Sequence, residues 1–144
     1  MKTKTNKILP ALFVSILMAV AVTACSTFPH RPPDQAVRLR VEEFMTAKVN
    51  KDSAKAYSFF DSAYQKKISE NQFIRKIEKM EFKAFTIESV TVDPDGEKAT
   101  VKVKSDVSTG GFDFKGNIET QNWVKQGREW FLHVPSKDTK EIFK

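Results

Sequence analysis

Few side chains of this 144-residue chain are of the types that bind metals or attack substrates. The chain contains one cysteine, Cys25, and two histidines, His30 and His133. A zinc site needs three or four ligands at suitable spacing, so this set predicts no metal and no cofactor. His133 has no acid or base partner near it in the sequence, which favours a structural role over a catalytic one.

The sequence also lacks the local motifs that mark common enzyme classes. It has no glycine-rich phosphate loop, no Gly-x-Ser-x-Gly turn and no pair of carboxylates at helical spacing in an apolar setting. This absence leans against an enzyme. The 12 phenylalanines lie mostly at core-periodic positions, which disfavours nucleic acid as a partner.

Residues 1–24 have the three parts of an export signal. Three lysines form a basic start, a largely apolar run covers 8–22, and two small residues come directly before Cys25. This order is typical of a cleaved signal peptide. A transmembrane anchor fits less well because Pro10 and Ser15 interrupt the run, which is shorter than the ~20 apolar residues of a membrane span.

The tetrapeptide Val22-Thr23-Ala24-Cys25 resembles the lipobox of bacterial lipoproteins. The resemblance implies that Cys25 becomes the first mature residue and carries palmitate-like acyl chains. Two or more chains, at ~0.8 kcal/mol per buried methylene, would anchor the protein stably to a membrane. Ser26 is not the aspartate associated with inner-membrane retention, so a periplasm-facing outer-membrane location is expected where two membranes exist. The alternative is a signal cut elsewhere, which would leave Cys25 as a free thiol.

Removal of the signal would leave 120 residues, a length suited to one domain. It would also remove three of the 24 basic residues, so that 21 would face 18 acidic ones at a net charge of about +3. Residues 25–33 contain three prolines and predict an extended tether. A single domain is expected to span 34–144.

Three helical segments are predicted before any strand. The first begins at a cap, Asp34, and its apolar residues recur at helical spacing. The second starts near Asp52 and could break near Asp61. The third follows Ser69, which begins a capping-box pattern. The buried stripe predicted for the first helix consists of Val37, Val41, Phe44 and Met45.

From Phe82 onward the apolar residues alternate, and four strands joined by glycine-containing turns are predicted. In the second strand apolar residues alternate with lysines, so one face would meet the core and the other would meet water. In the third strand one face is assigned to Phe112, Phe114, Ile118 and Thr120, with Gly116 as a candidate bulge. The predicted class is α+β, with three N-terminal helices packed on a curved antiparallel sheet of four or more strands.

This order of elements resembles the nuclear transport factor two-like, or cystatin-like, cone fold. The resemblance covers about 34–134 and is carried by "AYSFFDSAYQKKISENQF" and by the final hairpin with Trp123 and Trp130. It implies a cavity between the helices and the sheet. The residues expected to line that cavity are Tyr57, Asp61, Tyr64, Phe114, Thr120, Trp130 and His133.

Three functions follow from these patterns. The favoured one is a lipid-anchored, non-catalytic envelope domain that binds another envelope protein or a small apolar ligand. The second is a cavity enzyme of isomerase, dehydratase or hydrolase type, which a desolvated Asp61 or His133 against a tyrosine hydroxyl would favour. The third is a homodimer or envelope assembly factor, which an apolar patch containing the outward-assigned Trp123 and Phe131 would favour.

Overall fold

The helices of the domain come first along the chain and the strands follow, which confirms the predicted α+β class. The structure is a computed structural model that describes residues 31–135, so the predicted signal, the lipobox, Cys25 and most of the tether lie outside the described residues. Within the described range the elements are α1 (Pro33–Val49), α2 (Ser53–Ser58), α3 (Ser62–Gln65), α4 (Glu70–Ile77), β1 (Met80–Val92), β2 (Lys98–Thr109), β3 (Phe112–Gln126) and β4 (Glu129–His133).

The strands of residues 31–135 form one antiparallel sheet in the order β1-β2-β3-β4. Ala99, Val101 and Val103 of β2 are buried, and Lys98, Lys102 and Lys104 on the opposite face are exposed, which confirms the predicted alternation. We call the face that carries these apolar residues the inner face, and α1 packs against it.

Helix α1 buries the predicted stripe, since Val37, Val41, Phe44 and Met45 are all at most 2% exposed. Its predicted start at Asp34 is wrong. The helix begins at Pro33 with Pro32 at the N-cap position and no side-chain cap, so the predicted tether overlaps the helix by one residue. Proline fits there because the first turn of a helix has no intrahelical partner for its N–H groups.

The count of three helices is also wrong for the described range, because the predicted second helix is divided into α2 and α3. The residues between them, 59–61, run parallel to β4 instead. Leu132 N–H donates to the Phe59 carbonyl at 2.8 Å, and Asp61 N–H donates to the Leu132 carbonyl at 3.0 Å. These bonds cover the outer edge of β4, and a continuous helix could not make them.

The opposite edge of the sheet is β1, where two register shifts interrupt the pairing with β2. They leave Lys83 and Glu88 as extra residues between paired positions. Charged bulges on an edge strand discourage pairing with a strand of another chain. This edge therefore does not favour dimerisation by strand addition.

The four β3 residues predicted to share one face do not share it: those before Gly116 lie on the inner face and those after it on the outer face. Phe114 lies opposite the buried Val107 on the inner face, whereas Ile118 lies opposite Lys104 on the outer face. Gly116 causes the change because it adopts a φ of +64° within a bulge, where its N–H donates to the Asp106 carboxylate at 2.8 Å. An extra residue in a strand moves all following side chains to the other face.

The outward assignment of Trp123 is wrong as well. Trp123 lies opposite Leu132 on the inner face, and its side chain is fully buried. Phe44 contacts its ring edge-on at a centroid distance of 6.0 Å, and Phe44 also contacts the rings of Phe59 and Phe60. Trp123 therefore belongs to the core and does not contribute to an outer patch with Phe131.

Candidate functional site

A cavity of about 450 Å³ lies beside this aromatic core, between the helices and the inner face of the sheet. Most of its wall is apolar, and that part comes from α1, α4, the 59–61 segment and the sheet. The apolar lining includes Phe44, Phe60, Phe73, Ile77, Met80, Phe82 and Leu132. Its volume falls within the ~300–1,000 Å³ that is usual for small-molecule sites in proteins.

The polar part of the lining is small and includes two lysines. Lys48 comes from α1 and Lys76 from α4, and Glu119 and Gln121 come from β3. His133, at the end of β4, also contributes to the lining. A mostly apolar cavity with a few convergent polar groups is the usual form of a binding site.

Lys48 is buried to an unusual degree for a lysine. Its ammonium nitrogen lies 3.9 Å from the centre of the Phe82 ring and 3.5 Å from a carboxylate oxygen of Glu119. Burial lowers the pKa of Lys48, and the nearby Glu119 carboxylate opposes that effect in part. The ammonium is contacted by one carboxylate and by the rings of Phe44 and Phe82.

Glu119 belongs to a chain of hydrogen bonds along the inner face of β3. Trp123 Nε1 donates to Gln121 Oε1 at 3.1 Å, and Gln121 Nε2 donates to Glu119 Oε1 at 2.8 Å. The other oxygen of Glu119 faces Lys48. Alternation along the strand brings these side chains to one face, so the chain positions the Glu119 carboxylate beside the cavity.

A buried carboxylate, Asp61, and a partly exposed imidazole, His133, form a pair at the rim of the cavity. Asp61 is the N-cap of α3, where Oδ1 accepts the Tyr64 N–H at 2.8 Å, and Oδ2 lies 2.5 Å from His133 Nδ1. Asp61 is only 3% exposed. A carboxylate on Nδ1 fixes the orientation of the imidazole and leaves Nε2 as the nitrogen for other partners.

Tyr64 lines the cavity beside this pair and stacks on Phe60 at a centroid distance of 4.2 Å. Burial, with a smaller effect of Tyr57, raises the pKa of Tyr64 to about 12. Burial and then Glu70 raise the pKa of Tyr57, whose hydroxyl donates to the Ile68 carbonyl at 2.7 Å. Both hydroxyls are therefore protonated at neutral pH.

The chain has two tyrosines, so an alkaline titration read at the tyrosinate absorbance should report them directly. We expect less than half of the tyrosine to be ionised at pH 10, and the transition of Tyr64 near pH 12. Because the folded protein holds these protons more tightly than the unfolded chain, this contribution to stability is present below pH 10 and is lost as the pH rises towards 12. Tyr64→Phe should remove the higher transition. A full transition at pH 10 in the folded protein would contradict the burial of Tyr64.

Three of the seven residues predicted for the cavity, Tyr64, Thr120 and His133, contribute to its lining. Asp61 lies behind His133 and Tyr57 behind Phe73. The other two do not meet the cavity: Trp130 is buried in the core, and Phe114 is half exposed near the β2–β3 turn.

Sequence reasoning missed Lys48, Lys76, Glu119 and Gln121. A signal existed for Lys48, because it continues the buried stripe of α1 at the spacing of Val41 and Phe44. A second signal was the alternation of Glu119 and Gln121 with Trp123. Neither pattern reveals by itself that these groups border an open space.

No group of three or more potential metal ligands is present among residues 31–135. No helix of the same range is both long and apolar enough to cross a membrane.

The comparisons with known proteins reveal similarity of fold only. No protein-family model and no curated protein matches the chain. Among solved structures, a SEC-C motif containing protein from Psychrobacter arcticus superposes with a TM-score of 0.58 at 11% identity, covering 76% of this chain. This chain spans 64% of that protein's length. A SEC-C motif containing protein from Rhodopseudomonas palustris gives a TM-score of 0.54 at 13% identity, covering 72% of this chain and 79% of its own.

Proposed function

We propose that this protein is a lipid-anchored protein of the bacterial envelope whose cone-like domain binds a small, largely apolar molecule. The observation that carries the binding role is the cavity of about 450 Å³ with aromatic walls. The nuclear transport factor two-like resemblance and the helix-and-sheet architecture support the same arrangement. Contact with another envelope protein would depend on the lipid anchor, which holds the domain at the membrane, and not on the cavity.

The aromatic walls favour ligand binding over a purely structural cavity. Phe60 stacks on Tyr64 and meets Phe73 at a centroid distance of 5.2 Å, so these rings are held in place by one another. A preformed apolar wall can bind a ligand without ordering new side chains, which reduces the entropic cost of binding.

A neutral fluorescent probe, N-phenyl-1-naphthylamine, tests this cavity. The probe should bind the full chain, and Ile77→Trp should reduce its affinity about tenfold by filling the space that Ile77 borders. Ile74→Trp is the matched control, because Ile74 lies in the same helix and is similarly half-buried but does not line the cavity. Binding that is unchanged in Ile77→Trp, or absent in the unaltered chain, would refute a ligand cavity.

The anchor is proposed from Cys25 and the residues before it. In a suitable bacterial host, the unaltered protein should fractionate with membranes and incorporate a fatty-acid label. Cys25→Ser should lose the label and leave the membrane fraction, because a thioether cannot form without the thiol. Ser26→Cys combined with Cys25→Ser shifts the thiol by one residue and should not restore the label. A labelled or membrane-bound Cys25→Ser protein would contradict the lipobox interpretation.

The second candidate is a cavity enzyme that removes a proton from its substrate, of the isomerase or dehydratase type. It is favoured by the Asp61–His133 contact of 2.5 Å beside Tyr64, since a carboxylate that orients imidazole is a common arrangement for a general base. Protein-dependent exchange of deuterium from solvent into a panel of ketones, abolished by His133→Ala, would support it. Absence of exchange would leave binding as the function.

A further inference from the structure

The outer face of the sheet, opposite the helices, carries a row of lysines on β2. Lys98, Lys102 and Lys104 are exposed and alternate with the buried residues of the inner face. None of the three forms an ion pair with another residue of the range 31–135. Their charges are therefore available to an external partner.

The neighbouring strands place no negative charge directly beside the middle of this row. Among the cross-strand partners of Thr100, Lys102 and Lys104 in β1 and β3, none is acidic. The β1 partners all carry hydroxyl groups and are exposed: Thr91, Ser89 and Thr86. Lysines surrounded by hydroxyl groups can bind phosphate oxygens by charge and by hydrogen bonds.

Ile118 adds an apolar group to the same face. It is 59% exposed and is paired with Lys104, since the bulge at Gly116 turns it away from the core. The stem of Lys104 lies over this bulge, because a Cβ added at Gly116 would lie 2.9 Å from Lys104 Cε. Surfaces that combine lysines with apolar side chains bind anionic membranes by electrostatic attraction and by burial of the apolar groups.

Extending the proposed envelope location, we infer that the outer face of the sheet binds the surface of an anionic membrane. The lysines lie among the phosphate-bearing headgroups, and Ile118 lies at their boundary with the acyl chains. Charge complementarity supports this partner, and so does the length of chain before the domain. From Cys25 to Pro33 the chain extends at most about 28 Å, at ~3.5 Å per residue, so an anchored domain stays close to the membrane. The inference rests on the anchored location and not on the cavity.

The expected contribution of the lysines is large and sensitive to salt. A lysine near an anionic lipid surface contributes ~1 kcal/mol, which is about fivefold in affinity. Three lysines together would contribute on the order of 100-fold. Exposed charges are screened at a Debye length of about 3 Å in ~1 M salt, so most of this contribution should be lost there.

Protection of an introduced thiol tests which face meets the membrane. Cys25 is the one cysteine of the chain, so the full chain carrying Cys25→Ser accepts a single new thiol. Thr100→Cys places it on the outer face and Ala63→Cys on helix α3, and both positions are exposed. Each protein is mixed with vesicles of phosphatidylglycerol and phosphatidylcholine in equal parts, or of phosphatidylcholine alone. Labelling uses a polyethylene-glycol maleimide, which is uncharged and does not cross membranes.

At ~0.1 M salt, the anionic vesicles should slow the labelling of Thr100→Cys at least about fivefold relative to phosphatidylcholine vesicles. Ala63→Cys should be labelled at the same rate with both. Residues 1–24 are the same in every protein, so any contact that they make with vesicles is common to all samples.

Lysine variants identify the charges that are responsible. The outer-face variant should lose the protection of Thr100→Cys, and it carries Lys98→Gln, Lys102→Gln and Lys104→Gln. The matched control has the same change of net charge, at exposed lysines of the helical segments, and should keep the protection. It carries Lys55→Gln, Lys66→Gln and Lys67→Gln. Substitutions of exposed side chains have small effects on stability, so both variants are expected to fold.

Equal labelling of Thr100→Cys with the two kinds of vesicle would overturn the inference, as would protection of Ala63→Cys in its place. Protection that persists in the outer-face variant, or in ~1 M salt, would also overturn it, because charge would not be responsible. The fatty-acid label at Cys25 and the binding of N-phenyl-1-naphthylamine are separate measurements on other parts of the chain. A failure of the proposed function is therefore distinguishable from a failure of this inference.

Discussion

Phe44→Ala should destabilise the domain by about 3–5 kcal/mol, the range observed when a buried phenylalanine is truncated. Phe44 is 2% exposed, and its ring contacts those of Phe59, Phe60 and Trp123 at centroid distances of 5.7, 5.8 and 6.0 Å. Truncation leaves a void that these large rings cannot close by small movements. Domains of this size have unfolding free energies of about 5–15 kcal/mol, so much of the stability would be lost.

The measurement is chemical denaturation followed by tryptophan fluorescence, which Trp123 makes sensitive to this part of the core. Leu39→Ala is the control, because Leu39 lies in the same helix and is 39% exposed. It should cost less than about 1.5 kcal/mol. Similar losses for the two variants would contradict the packing of α1 on the inner face.

Asp61→Ala should cost about 2–5 kcal/mol, more than any other change at a helix cap among residues 31–135. Two interactions are lost together: the cap of α3, worth about 0.5–2 kcal/mol, and a hydrogen bond between His133 and a charged group, worth about 1.5–3 kcal/mol. Because α3 carries Tyr64 and β4 carries His133, both groups at this side of the cavity should lose their positions.

Two variants make the Asp61 result interpretable. Asp61→Asn keeps an oxygen that can accept the Tyr64 N–H and should recover the capping part of the loss. Asp52→Ala is the comparison, because Asp52 caps α2 and its carboxylate accepts only the Lys55 N–H among the described hydrogen bonds. This change should cost about 1 kcal/mol. If Asp61→Ala cost no more than Asp52→Ala, the His133 contact would contribute nothing to stability.

Much of the local structure was predictable because it depends on residues close together in the chain. The apolar stripe of α1 and the alternation of β2 are visible as periods of 3.6 and 2 residues. The capping box at Ser69 is present with both of its hydrogen bonds. Asp52 and Asp61 occupy N-cap positions, in agreement with the predicted start and the anticipated break of the second segment.

Errors arose where a distant part of the chain decided the outcome. The 59–61 segment leaves the helix because β4 supplies backbone partners from some 70 residues away. Ile118 and Thr120 were assigned to the same face as Phe112 and Phe114, but the bulge at Gly116 changes the alternation and places the two pairs on opposite faces. Trp123 was assigned to the outer face because the sequence does not reveal the strand register that pairs Trp123 with Leu132.

The candidate site was predictable only as a set of residue types. The sequence named Asp61, Tyr64 and His133 separately, but the 2.5 Å contact between Asp61 and His133 depends on the parallel pairing of Phe60 with Leu132. Lys48 was not predicted as a site residue, because a lysine at the end of a helix is usually exposed. In the folded domain Phe82 and Glu119 cover it.

By itself the sequence determined the order of the elements, the caps, the apolar periods and the lipobox-like stretch before Cys25, because each depends on residues within a few positions of one another. Only the tertiary structure decided that an open cavity remains beside the core and that two lysines border it. A cavity is the space left between elements far apart in the chain, and its size and charge depend on their packing and register rather than on any local pattern.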